Sequence, residues 1–352
     1  MSNYEQAAGL LKVLMGSLMS PDNEVRSQAE ESLNSEWRDR QPQTLLGSLA
    51  FLVHRDGEAQ ARAFAAVLLR RIAFQPAQAA DNKEDERTVW SVVPAGVQQA
   101  VKAELLGALK NETERGARHK VCDTIAEISN NEGEGEWPEL LGALYACAQD
   151  GNVQLRESAY RVFGSCAYLL EAQSPAAVTG AFSGALQDAD PSVRQAALQA
   201  AVAYIVAVNE KQRGALAGMV GPMLGVLEPL LQSGDEAGLT DALSALVEAA
   251  EEAPKLFRAV LGDLVTFATA IGKNGDLESA TRQAAMELLV TLAEAAPGMC
   301  RKNTQFCQAV VPVCLEMLSS IEDDEAWHTA KTLDDAGSDE DHVFGEQTLD
   351  RL

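Results

Sequence analysis

The sequence predicts an all-α fold in which antiparallel pairs of helices stack on one another. One amphipathic helix pattern returns along the chain at steps of mostly about 40 residues. Ala and Leu dominate over β-branched residues, and aromatic residues make up only 5% of the chain, a composition typical of helix-on-helix packing. No alternating run of apolar and polar residues predicts a strand. We therefore expect no sheet.

The pattern is clearest in residues 21–37, PDNEVRSQAEESLNSEW. Pro21 and Asp22 give a helix-start signal, a proline beside a capping carboxylate. Arg26 follows Asp22 by four residues, within reach on the same helix face. An apolar face, which we expect to point to the core, is formed by residues at i, i+4 and i+8: Val25, Ala29 and Leu33.

The recurring template is an acid or amide, an Arg four residues later, and small apolar residues three and seven places after the Arg. We expect its arginines to form a structural ladder, within or between repeats: Arg26, Arg62, Arg118, Arg156, Arg194 and Arg282. In the copy that starts at Glu236, Thr240 replaces the Arg. Self-similarity at this period predicts a right-handed α-solenoid of about eight HEAT repeats over residues 1–320, since each helix pair hides its apolar surface only by stacking.

Composition narrows the class of partner. The chain has 52 acidic and 28 basic residues, a formal charge of −24. This charge argues against direct nucleic-acid binding, which needs basic stripes. It favours basic protein partners and fast electrostatic association. The alternative from charge alone is that the acidic surface only keeps a long, exposed solenoid soluble.

The sequence lacks the motifs of catalysis, cofactor binding and metal binding. It has no glycine-rich phosphate loop, serine elbow, HExxH or CxxC, and its four histidines are scattered. The six cysteines suit free thiols in a reducing compartment. The N-terminus does not read as a signal peptide, and no apolar run approaches membrane-spanning length. We therefore expect that the protein is not an enzyme, binds no cofactor or metal ion, and has no membrane segment.

The repeat pattern stops after Ser320. Nine acids and one lysine occupy residues 322–341, which predicts a mobile acidic insert over 321–341. Its acids and its tryptophan are Glu322, Asp323, Asp324, Glu325, Trp327, Asp334, Asp335, Asp339, Glu340 and Asp341. Residues 342–352 look like the start of the second helix of repeat eight. We expect the chain to be the N-terminal part of a longer protein.

Several segments carry a resemblance to a known family. They are PDNEVRSQAEESL at 21–33, FAAVLLRRI at 64–72, SVVPAGVQQAVKAELL at 91–106, RHKVCDTIAEI at 118–128, WPELL at 137–141, LRESAYRVF at 155–163, EDDEAW at 322–327 and GEQTLDRL at 345–352. Together they resemble importin-beta (karyopherin-beta) nuclear transport receptors, in the importin beta three branch. The last two segments resemble the acidic loop in repeat eight of that branch and the helix after it.

The resemblance implies a nuclear import receptor that works in the cytoplasm, the nucleus and the nuclear pore. Second helices would line a concave face, whose first repeats bind Ran-GTP. The convex face near repeats five to seven would meet Phe-Gly nucleoporins. Cargo proteins with a basic nuclear-localisation signal would bind mostly from repeat seven onward. We expect a monomer.

On this reading the concave Ran-binding surface of the first three repeats falls on Glu30, Asn34, Arg70, Asp123, Glu127 and Asn130. The acidic insert would act on Ran or cargo by steering basic groups. The alternative for each residue is a solvated charge that binds nothing. The alternative for the chain is a HEAT-repeat scaffold subunit of a multi-protein enzyme complex such as a phosphatase, which would not need GTP-dependent release.

Overall fold

The computed structural model describes residues 3–77, 87–320, 329 and 341–352. These residues are mostly helical and contain no strand, only an isolated antiparallel bridge between Pro76 and Thr88. The all-α prediction is therefore confirmed. The chain divides into two compact units, residues 1–169 and 170–352.

The first unit contains four pairs of helices among its described residues. Its helices are α1 (Asn3–Leu18), α2 (Asn23–Ser32), α3 (Pro42–Arg55), α4 (Ala59–Ala73), the short α5 (Val89–Val92), α6 (Ala95–Asn111), α7 (Arg115–Glu132), α8 (Pro138–Ala148) and α9 (Val153–Ser165). The pairs are α1 with α2, α3 with α4, α6 with α7, and α8 with α9. The second helices pack side by side, α4 on α7 and α7 on α9, as HEAT-type stacking requires.

The second unit repeats this arrangement. Its helices are α10 (Pro175–Ala185), α11 (Pro191–Ala207), α12 (Glu210–Arg213), α13 (Ala217–Leu224), α14 (Leu227–Ser233), α15 (Glu236–Glu252), α16 (Leu261–Gly272), α17 (Ser279–Ala295), α18 (Pro297–Cys300), α19 (Phe306–Ser319) and α20 (Asp341–Arg351). The second helices α11, α15, α17 and α20 pack in this order.

The first copy of the template is only partly buried as expected. Ala29 and Leu33 lie in the core, whereas Val25 is 39% exposed. The prediction for Val25 was wrong because residues 21–25 are all exposed, so the first turn of α2 projects into solvent. After Ser32 the helix widens into a π-helical segment, Leu33–Asp39.

Repeat six has a broken first helix. Glu210–Ser233 is long and apolar enough to cross a membrane by length and composition, contrary to the sequence expectation, although a buried core helix passes the same test. The helix is interrupted after Leu224, and Pro222 and Pro229 lie on either side of the break. The buried side chains of α13, among them Met219 and Met223, pack within the unit.

The last helix, α20, packs closely on α19. A Cβ atom added at Gly345 would lie 2.6 Å from the backbone N of Leu318 and 2.8 Å from the carbonyl O of Cys314. Only glycine allows the two helix backbones to approach this closely. Residues 341–351 are thus an integrated helix of repeat eight.

A hydrogen-bonded turn recurs where second helices begin. In repeat five, Asp188 Oδ1 accepts the backbone N–H of the capping residue Asp190 at 2.9 Å, and Asp188 O accepts Arg194 Nη1 at 2.8 Å. The same two bonds join three other turn residues to their capping residue and arginine: Ser20 with Asp22 and Arg26, Asp56 with Glu58 and Arg62, and Asp150 with Asn152 and Arg156. The first residue of the template is thus the N-cap, and the Arg holds the turn before it.

Candidate functional site

Two of the residues proposed for the concave face meet on the second helices of repeats two and three. Arg70 lies in the last turn of α4, and Asp123 lies on α7. The Arg70 Nη1 and Asp123 Oδ2 atoms are 3.7 Å apart. Both side chains are partly exposed, so this contact joins two repeats at a surface that a partner can reach.

Sequence reasoning missed two further cations at the same carboxylate. Arg161 on α9 donates to Asp123 Oδ1 from Nη2 at 2.9 Å and from Nε at 3.3 Å. Lys120, one turn before Asp123 on α7, places Nζ 3.7 Å from Asp123 Oδ2. The signal was available in the sequence, because Lys120 and Asp123 are i,i+3 neighbours on a helix. Arg161 lies five residues after the template Arg. Its contact with Asp123 could not be predicted without knowing how α7 stacks on α9.

The other candidates on α7 make local contacts. Asn130 Nδ2 donates to Ser165 O at 2.9 Å, which links α7 to the end of α9. Glu127 accepts the Asn131 side chain, both at its carbonyl O and at Oε1. Asn130 is therefore a joint between repeats as well as an exposed group. Glu127 keeps its carboxylate on the partly exposed face.

Glu30 and Asn34 lie in repeat one, on α2 and on the π-helical segment after it. Both residues are exposed. They remain available to a partner, and their role in binding stays a prediction.

The joint between repeats three and four contains a buried ion pair. Arg118 Nη2 donates to Glu157 Oε2 at 2.6 Å, and His119 Nε2 lies 2.6 Å from Glu157 Oε1. Burial would raise the pKa of Glu157, but its hydrogen bonds with Arg118 and His119 outweigh this and hold the pKa below 4.5. Glu157 is therefore an ionised, buried link between α7 and α9.

The joint between repeats two and three uses the same chemistry. Arg62 donates to the Glu112 carboxylate from Nε at 2.5 Å and from Nη2 at 2.8 Å. Glu112 Oε1 also accepts the backbone N–H of Glu114 at 2.9 Å. Burial opposes ionisation of Glu112, but these hydrogen bonds lower its pKa below 4.5. Arg62 thus serves both its own turn and the next repeat.

Asp341 corrects the predicted extent of the acidic insert. It was assigned to a mobile insert, but it is the first residue of α20 and is buried. Its carboxylate pairs with Arg282 on α17 and accepts Gln283 Nε2 at 3.0 Å. At the other end of α20, Arg351 pairs with Glu287 and Glu294. Ion pairs at both ends therefore hold α20 against α17.

The structure also explains why Thr240 stands where the template has Arg. The N-cap of α15 is Asp235 rather than Glu236, so Leu239 occupies the register of the template Arg. Thr240 Oγ1 lies 2.9 Å from Thr281 Oγ1 on α17. Glu236 Oε2 accepts the backbone N–H of Glu278 at 2.8 Å. Side-chain hydrogen bonds thus replace the Arg pair at this joint.

The second unit has a surface hollow of about 600 Å³ beside the first helices of repeats five and six. It lies where α13 gives way to α14. Residues that line it include Leu186, Asp188, Arg194, Pro222, Gly225 and Pro229. The hollow is open to solvent and combines apolar walls with polar groups from the turn before α11.

The described residues hold no group of three or more His, Cys, Asp or Glu side chains arranged to bind a metal ion. Burial raises the pKa of Cys122 and of Cys166 to about 12, which makes these thiols poor nucleophiles. Cys307 is the exposed cysteine of the six. The remaining predicted insert residues, from Glu322 to Glu340, lie outside the described part of the chain.

Comparison with known proteins decides the family. Family models described as "IPO5-like, TPR repeats" and "Importin repeat" match residues 113–267 and 274–352. The chain is 30% identical over 353 residues to importin subunit beta-3 of Saccharomyces cerevisiae, covering 99% of this chain and 32% of that protein. The chain belongs to the importin-beta family. This importin chain therefore spans about a third of the length of that curated relative.

Solved structures agree with this assignment. The crystal structure of Kap121p superposes on the importin chain with a TM-score of 0.81 at 29% identity, covering 99% of this chain and 33% of that one. Kap121p bound to RanGTP gives a TM-score of 0.80 at 29% identity, with 99% and 32% coverage. These relatives are transport receptors rather than enzymes, which confirms the prediction that the chain is not an enzyme. Importins shuttle between cytoplasm and nucleus through the nuclear pore.

Proposed function

We propose that this importin chain binds the GTP form of Ran through the second helices of its first repeats. The observation that carries the proposal is its likeness, over 99% of its length, to Kap121p in a structure with RanGTP bound. The clustered charges of Arg70, Asp123 and Arg161, on three successive second helices, support a protein-binding role for this surface. Glu30, Asn34, Glu127 and Asn130 extend the proposed surface.

A pull-down with Ran tests the proposal. Immobilised chain is incubated with Ran locked in the GTP form, and in parallel with Ran loaded with GDP. Selective retention of the GTP form supports an import receptor. Equal retention of both forms, or of neither, would favour the alternative of a HEAT-repeat scaffold subunit, since a scaffold has no need of release by GTP-bound Ran.

The hollow in the second unit supports a second part of the proposal, that it receives the phenyl ring of a Phe-Gly nucleoporin repeat. Leu186 and Pro222 supply apolar walls, and the volume of about 600 Å³ exceeds that of one aromatic side chain. Among solved relatives, Kap121p has been crystallised with Nup53p. Burying one ring in such a hollow would give the weak, reversible contact that passage through a pore needs.

Substituting Pro229→Glu tests the hollow. A carboxylate there should weaken binding of a Phe-Gly repeat peptide, while the first turn of α14 tolerates an acid. Ala237→Glu is the matched control, because it adds the same charge at an exposed position in the first turn of the next helix, α15. Equal peptide binding by the two variants would contradict this part of the proposal.

Cargo carriage is the third part. The net charge of −24 favours basic segments, and Kap121p has been crystallised with Pho4p and with Ste12p. The acids of 322–340 lie outside the described residues, so their role rests on charge alone. Replacing Glu322–Glu325 with Ser and Gly should slow association with a basic cargo peptide and flatten its salt dependence. Unchanged rates would contradict a steering role.

A further inference from the structure

Three basic side chains converge on one carboxylate at the surface of repeats two to four. They are Arg70 on α4, Lys120 on α7 and Arg161 on α9, and we call them the cationic triad. All three approach Asp123, with N···O distances of 3.7, 3.7 and 2.9 Å. The triad therefore carries two positive charges more than its carboxylate neutralises, in a chain whose net charge is −24.

Hydrogen bonding divides the triad. Arg161 uses Nε and Nη2 on Asp123. Arg70 Nη1 and Lys120 Nζ each lie 3.7 Å from Asp123 Oδ2, beyond hydrogen-bonding distance. The carboxylate charge attracts both cations, but neither donates a hydrogen bond to it. Neither side chain donates a hydrogen bond to another residue in the described part of the chain, so both keep N–H groups available to a partner. Their side chains are 39% and 45% exposed.

Asp123 holds Arg161 in place before any partner arrives. Its side chain is only 19% exposed, and it lies between groups from three successive second helices. A partner that meets Arg161 therefore has less side-chain entropy to remove at that residue. Glu127, one turn further along α7, marks the acidic border of the triad.

We propose that the cationic triad of Arg70, Lys120 and Arg161 docks an acidic segment of the Ran partner. The carboxylates of that segment would pair with the positive charges that Asp123 leaves unneutralised. The proposal deepens the proposed function and rests on it. A guanidinium fork matches a carboxylate in two-point contact, and Arg70 still has its fork free. The occupant is a protein segment rather than a nucleic acid, because three cations do not make a phosphate-tracking stripe.

The proposal predicts that removing the negative charge and removing a positive charge change the affinity for Ran-GTP in opposite directions. Asp123→Asn removes the internal negative charge but keeps a side-chain oxygen that can accept from Arg161. It leaves the triad more positive and should tighten binding of Ran-GTP. Arg70→Gln should weaken binding by about 2- to 5-fold, the range expected for a partly exposed charge pair. The double variant Arg70→Gln/Arg161→Gln should lose about tenfold and show a shallower salt dependence.

The test is equilibrium binding of Ran-GTP to the full chain and each variant, at low and at physiological salt. Arg71→Gln is the matched control, because it removes the same charge from the neighbouring, exposed position of α4. Thermal melting of each variant checks that the repeats stay folded. Tighter binding by Asp123→Asn, weaker binding by Arg70→Gln and no change by Arg71→Gln are the expected results.

Two results would overturn the proposal while leaving Ran binding intact. If Asp123→Asn weakens and Arg70→Gln strengthens binding, the surface meets basic groups of Ran. If neither substitution changes binding by a folded chain, Ran does not touch the triad. Failure of the unmutated chain to prefer Ran-GTP is a different outcome, which contradicts the proposed function and this inference with it.

Discussion

Arg118 and Glu157 form a buried ion pair between repeats three and four, with Arg118 Nη2 at 2.6 Å from Glu157 Oε2. Their side chains are only 5% and 6% exposed. Removing Arg118 leaves the buried Glu157 carboxylate with His119 as its remaining side-chain partner. We therefore expect Arg118→Met to lower the free energy of unfolding by about 3 kcal/mol, the low end of the range for breaking a buried ion pair, measured by urea denaturation.

The double variant Arg118→Met/Glu157→Leu should cost less than Arg118→Met alone, because it removes both charges together. The exposed pair of Arg40 and Glu36 gives a control, since Arg40→Ala should change stability by less than about 1 kcal/mol. If the double variant were less stable than Arg118→Met, desolvation of the pair would not be the dominant cost at this joint.

Acid should weaken the first unit through its buried carboxylates. Hydrogen bonds with arginines hold the pKa of Glu112 and of Glu157 below 4.5 in the folded chain, despite burial that opposes ionisation. Because the folded pKa lies below the unfolded one, their stabilisation is complete above about pH 4.5 and is lost as the pH falls through the folded pKa. Protonation of these two carboxylates should lower the urea midpoint of unfolding as the pH falls from 5 to 3.

Glu112→Gln removes one of these carboxylates and should flatten that acid dependence while lowering stability at pH 7. An unchanged slope would mean that other carboxylates dominate the acid transition.

The turn arginines should matter modestly for stability and not for chemistry. Arg194 Nη1 donates to the carbonyl oxygens of Asp188 and Ala189 at 2.8 and 3.1 Å. We expect Arg194→Ala to cost about 1 to 2 kcal/mol, the range for hydrogen bonds from a charged donor. Arg258→Ala, at an exposed position of the same unit, should cost close to nothing. Equal urea midpoints for the two variants would contradict the structural role of Arg194.

Asp341 should control the docking of α20. Asp341→Asn weakens its ion pair with Arg282 and leaves a cation without its carboxylate. Backbone amides of residues 341–351 should then exchange hydrogen faster, with little change in the first unit. Asp350→Asn, in the exposed last turn of α20, is the control and should leave exchange unchanged. Protection that survives Asp341→Asn would mean that packing at Gly345 suffices to hold the helix.

Much of the fold could be predicted because each repeat carries its own local signals. Asp22 and Asp190 cap second helices where the template places them, and the arginines four residues later begin the helical hydrogen-bond ladder. Such signals lie within a few residues of one another, so periodicity in the sequence reveals them.

The site was harder to predict because its contacts join residues far apart in sequence. Arg161 meets Asp123 across 38 residues, and Asp341 meets Arg282 across 59. Helix periodicity says which face a residue occupies, but the offset between stacked helices decides which charges meet. Asp341 was misplaced for a further reason. A run of acids is typical of mobile loops, and it hides the single acid that pairs with the partly exposed Arg282.

Selective binding of Ran-GTP is measured by titrating the full chain with Ran loaded with GTP and with GDP at physiological salt. We predict that the GTP form binds more tightly by at least about tenfold, equivalent to about 1.4 kcal/mol. Equal affinities for the two forms, measured on a chain whose circular dichroism shows the expected helix content, would contradict the claim.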